Sequence, residues 1–114
     1  MIMFNKRFAV DCVDGRTPSD GAPLMLACGK RGGLTLVELR GSSKVPVRRI
    51  DPTEATVRKS GEGPFNAWTG RRRGLWDVCV YDSGGVVRFR MRNKGDALSL
   101  KRWVDKYAAR KGGR

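Results

Sequence analysis

The chain has 114 residues, 24 Lys+Arg against 11 Asp+Glu, a formal charge of +13 and no histidine. That length supports a single small domain spanning 1–114, and the lack of histidine removes the commonest general base and metal ligand. No run approaches the ~18 apolar residues of a membrane span, and Met1–Val10 carries Lys6 and Arg7 where a secretory signal would be apolar. A cytoplasmic protein without membrane contact is expected.

Short strands punctuated by glycine dominate the chain. Phe4 to Val13 is β-rich, and Asp14-Gly15 through Gly21 reads as a polar loop. Pro23 to Cys28 is a short apolar run before a basic turn at Gly29–Gly33. Leu34 to Arg40 and Val45 to Ile50 predict two strands around Gly41-Ser42-Ser43, the second weakened by Pro46. Asp51-Pro52 has the order of a helix start, cap then proline, and predicts a short helix reaching about Lys59.

Gly61 to Pro64 breaks the chain, Phe65 to Thr69 predicts a short strand, and Gly70 to Gly74 an arginine loop. Leu75 to Asp82 and Val86 to Asn93, around Ser83-Gly84-Gly85, make the clearest hairpin. Trp76, Val78, Val80, Val87, Phe89 and Met91 alternate onto one face, which is core. Asp77, Cys79, Tyr81, Arg88, Arg90 and Arg92 take the other. A helix is expected from Ala97 to Lys111, with Asp96 as cap and Gly112 as stop. Leu100, Trp103, Val104, Tyr107 and Ala108 form its apolar stripe. The fold class is α+β: an antiparallel sheet, in two related β-rich halves, with an amphipathic C-terminal helix.

The halves are suggested by an internal echo. A shift of 41 residues lays Gly29–Ile50 over Gly70–Met91 and matches Gly33/Gly74, Leu34/Leu75, Val37/Val78, Ser42/Ser83, Val45/Val86 and Arg49/Arg90. The repeat units would be 23–59 and 64–111, each ending in a helix.

The charge is uneven: residues 1–56 hold 9 basic and 6 acidic groups, residues 57–114 hold 15 and 5. Arginine, which forks onto phosphate and stacks on bases, outnumbers lysine 16 to 8. Arg71, Arg72 and Arg73 with the Arg88/Arg90/Arg92 stripe are the candidate phosphate contacts, and Lys30, Arg31, Arg48 and Arg49 a second patch. Tyr81 and Trp68 are the candidates for stacking on bases. No catalytic residue, metal site or cofactor is expected. Cys12, Cys28 and Cys79 are isolated and read as free thiols. Asp11 and Asp14, with Glu38 or Asp77, are the best carboxylates for a nuclease-type metal, but i and i+3 point to opposite faces of a strand.

From Leu75 to Tyr107 the chain resembles the single-stranded-DNA-binding coactivators known as positive cofactor four. Leu75, Asp77, Val78 and Tyr81 fit that family's second strand, and Lys94-Gly95, Leu98 and Trp103 its approach to the terminal helix. It departs in carrying three arginines on the next strand and an added N-terminal half. With the echo taken as a duplication, it is similar to the Whirly proteins. The resemblance implies a curved sheet that binds single strands, and a helix packing the sheet or a homodimer interface.

The reading is non-enzymatic binding of nucleic acid, preferentially single-stranded. The alternative is a small phage- or plasmid-type accessory protein that binds and inhibits an acidic host protein. A basic ribosome-associated protein is a third option.

Overall fold

The computed structural model describes the backbone of residues 6–29, 33–68 and 70–113, with side chains in those ranges except at 60–66, 71–73 and 111–113. The elements in chain order are β1 (Lys6–Val10), β2 (Cys12–Val13), β3 (Leu24–Gly29), β4 (Gly33–Arg40), β5 (Ser43–Ile50), β6 (Glu54–Asn66), β7 (Arg71–Asp82), β8 (Gly85–Met91) and α1 (Lys94–Gly113). They make two antiparallel four-stranded sheets, ordered β1-β3-β4-β5 and β2-β8-β7-β6, and one C-terminal helix. The class is α+β.

The chain passes between the sheets three times, returning from β2 to β3 through residues 14–23. The β-rich run at the start divides at Asp11, whose N–H donates to the Arg90 carbonyl at 2.7 Å. This leaves β1 on the edge of the first sheet and β2 on the edge of the second. The third passage is Asp51–Thr53, where Pro52 is buried and the Thr53 N–H donates to the Tyr81 carbonyl at 2.7 Å.

Alternation assigns the inner faces. Phe8, Val10, Leu24, Leu26, Cys28, Leu34 and Leu36 from the first sheet join Ala55, Val78, Val80, Val87, Phe89 and Met91 from the second. Ala97, Leu100 and Val104 of α1 complete one continuous core. Each fully buried large side chain in it contributes about 1.5–3 kcal/mol relative to exposure.

The expected helix from Asp51 to Lys59 does not form; that segment opens β6. Its side chains alternate with period two: Ala55 is buried and Val57 packs on the core, while Glu54, Thr56 and Arg58 are exposed. Pairing with β7 along that period outweighs the local cap-and-proline signal. The strand continues through Gly61 and Pro64, with register shifts after Lys59 and after Glu62. Proline is tolerated there because β6 is the outermost strand. The expected strand at Phe65–Thr69 is the end of β6, which stops at Asn66, and the expected arginine loop is strand: Arg71 to Arg73 open β7.

Helix α1 starts three residues earlier than Ala97. Its cap is Asn93 rather than Asp96: the Asn93 Oδ1 accepts from the Asp96 N–H at 3.2 Å. Asp96 sits in the first turn, where a negative charge suits the helix dipole. The helix runs past Gly112 to Gly113. Trp103 and Tyr107 stack with ring centroids 5.2 Å apart, and the Tyr107 hydroxyl donates to Asp51 at 2.9 Å. Asp51, expected to cap a helix, thus ties α1 to the crossing between sheets. Among the described residues α1 is the only helix, so the first half has no counterpart to it. None of the described helix is long and apolar enough to cross a membrane.

Candidate nucleic-acid interface

Residues directly opposite one another in an antiparallel pair share a face. On the side of the second sheet turned away from α1, the register therefore builds three rows. Cys12, Arg90, Asp77 and Arg58 form one, Arg88, Cys79 and Thr56 the next, and Val86, Tyr81 and Glu54 the third. Arg88 and Arg90 are i, i+2 neighbours, so their Cα atoms lie about 6–7 Å apart, near the phosphate step of an extended single strand.

The stripe is not a bare row of cations. Asp77 is only 1% exposed. Arg90 donates through Nε to Asp77 Oδ1 at 3.1 Å, and Arg88 Nε lies 3.9 Å from Oδ2. The hydrogen bond that Arg90 donates to Asp77 raises its guanidinium above its ordinary pKa. Arg92 belongs to a different carboxylate, with Nε 3.0 Å and Nη2 2.9 Å from Asp11 Oδ1. Asp14 is used structurally: its Oδ1 accepts the Arg88 backbone N–H at 2.9 Å.

Anchoring through Nε has a chemical consequence. A guanidinium held at Nε presents its far edge, Nη1 and Nη2, away from the anchor, and that edge is the fork that matches phosphate oxygens. Arg88 and Arg90 remain 39% and 30% exposed at the side chain. Beside them lies a shallow depression of about 420 Å³, lined by Asp14, Thr56, Arg58, Cys79, Tyr81, Val86 and Arg88. Tyr81 and Val86 are exposed on its rim.

The other sequence candidates are scattered. Arg48 and Arg49 are consecutive on β5, so they leave opposite faces of the first sheet and do not form one patch. Lys30 and Arg31 lie outside the described residues. Arg71, Arg72 and Arg73 lie at the start of β7, and Trp68 in the loop before it. Arg58, Thr56 and Val86 were missed as candidates. Arg58 and Thr56 alternate correctly for the outer face, a signal hidden by reading that segment as helix.

Among the described residues no three His, Cys, Asp or Glu side chains converge as a metal site. The three thiols are free; burial pushes Cys28 up to about 12, with a small opposing pull from Lys6. Searches against protein-family models, curated proteins and solved structures found no match.

Proposed function

We propose that this protein binds nucleic acid without catalysis and takes a single strand across the outer face of the second sheet. The observation that carries the reading is the buried Asp77 carboxylate beneath Arg90 and Arg88. A carboxylate 1% exposed on a solvent-facing sheet side holds the Arg90 fork in a fixed direction and draws the Arg88 guanidinium to within 3.9 Å of it. Tyr81 and Val86 offer apolar surface to a base beside those forks, and phosphates would follow the Arg88–Arg90 line. The overall charge of +13 adds long-range attraction for a polyanion.

Anisotropy titrations with oligo(dT) over a salt series test this. Log affinity should fall against log salt with a slope of about −0.7 per phosphate contact, and Arg88→Gln should shallow it by about 0.7. Tyr81→Ala should weaken binding by about 1–3 kcal/mol without altering the slope, because stacking releases no counterions. No oligonucleotide binding at low salt would overturn the reading in favour of an acidic protein partner.

A further inference from the structure

The β6–β7 hairpin outlasts the sheet it belongs to. Trp76, opposite Met91, is the last β7 residue paired with β8. Beyond it β7 pairs with β6 alone: Leu75 with Gly61, Gly74 with Glu62, Arg72 with Phe65 and Arg71 with Asn66. Helix α1 begins at this same end, with Lys94 Nζ 5.1 Å from the centre of the Trp76 ring. What remains is a two-stranded ribbon about 17 Å long, from five residues at ~3.4 Å each.

Ala67, Trp68 and Gly70 lie in the loop between the two strands, with Gly70 at φ +68°, a left-handed conformation that favours glycine. Trp68 sits in this loop and is 97% exposed. The ring lies outside the core cluster, at the far end of the arm. From Gly63 to Arg73 the sequence carries three arginines and no acidic residue.

We propose that this arm enters a groove of duplex DNA, with Arg71–Arg73 neutralising phosphates along the groove and Trp68 wedging against a base step. A two-stranded ribbon is an element that a duplex groove admits. Apolar wedges at such tips part stacked base pairs and bend the helix. A flat sheet face suits a single strand, whereas a narrow projecting ribbon suits a groove. The inference shares with the single-strand reading only its polyanionic partner, and either can fail alone.

The experiment uses the full chain with an end-labelled duplex of about 30 base pairs, short against the persistence length, whose end-to-end energy transfer reports bending. Oligo(dT) binding is measured in parallel. Wild type should raise transfer, and Trp68→Ala should abolish that rise while changing oligo(dT) affinity by less than about threefold. Arg71→Ala/Arg72→Ala/Arg73→Ala should weaken duplex binding by about tenfold or more at moderate salt. Trp68 is solvent-exposed, so its variant should melt like wild type. Trp68-dependent bending without oligo(dT) binding would sink the sheet-face reading and leave the arm standing. The arm is overturned if Trp68→Ala bends duplex like wild type, if wild type binds duplex without bending it, or if Trp68→Ala weakens single-strand and duplex binding equally. No binding to either form at low salt overturns both readings.

Discussion

The hairpins β4–β5 and β7–β8 echo each other in sequence yet end in opposite circumstances. Leu34 is fully buried in the core, while its counterpart Leu75 is half-buried on the outer side of the second sheet. Leu36 points inward, and its counterpart Asp77 lies under arginines on the outer face. The turns explain the inversion. The first hairpin pairs Arg40 with Ser43 around Gly41-Ser42, and the second pairs Asp82 with Gly85 around Ser83-Gly84. In the echo alignment the second turn falls one residue later than the first, and a one-residue slip moves every side chain to the other face. The strands also differ in their neighbours. β8 lies between β2 and β7, whereas β5 is an edge with seven of eight residues exposed, blunted by Lys44, Pro46 and an irregular register at Val47. Shared local chemistry thus fixed two hairpins, but not which side of each faces inward.

The sharpest way to break this contrast is to truncate one side chain in the second strand of each hairpin. Phe89→Ala on β8 should cost about 3–5 kcal/mol in urea unfolding, because it empties a fully buried site. Val47→Ala on β5 should stay within about 0.5 kcal/mol. Comparable losses would mean that β5 is covered by something the fold does not show.

A second pair uses matched glycines. A Cβ on Gly33, at φ +74°, would meet the Ile50 carbonyl oxygen at 2.5 Å, so Gly33→Ala should cost about 1–3 kcal/mol. Its counterpart Gly74 lacks a positive φ, and its nearest neighbour would be the Trp76 Nε1 at 3.2 Å. Gly74→Ala should therefore be the milder change, and thermal midpoints of the two variants decide it.

The smallest effect concerns pH. Cys28 keeps its proton in the folded protein up to about pH 12, whereas an unfolded thiol loses it near 9.0. Its contribution is complete below pH 9 and declines as pH rises from there toward 12, since only the unfolded state gains by ionising. Unfolding midpoints at about pH 8 and pH 10 should therefore fall less in Cys28→Ala than in wild type. An identical fall in both would show that Cys28 is not desolvated.

The strands and the last helix were legible where a single signal ruled. The β7–β8 alternation and the Leu100–Trp103–Val104 stripe each carry one period over several turns or pleats. Legibility failed at Asp51–Lys59, where a helix-start signal competed with a period-two pattern; only the partner strand β7 decides between them. The arginine stripe was legible as a face, but not its division between Asp77 and Asp11, because Asp11 reaches Arg92 across 81 residues of chain. Nor was the arm legible, since it exists only because β8 ends before the β6–β7 pairing does.

By itself the sequence determined charge, the turns of the β4–β5 and β7–β8 hairpins, the β7–β8 alternation and the helix stripe, all of which rest on neighbours within a few residues. The tertiary structure alone decided which face of each hairpin is inside, which carboxylate holds which arginine, and which paired strands run on past their sheet. Those outcomes depend on contacts between distant segments, and a one-residue difference in register is enough to reverse them.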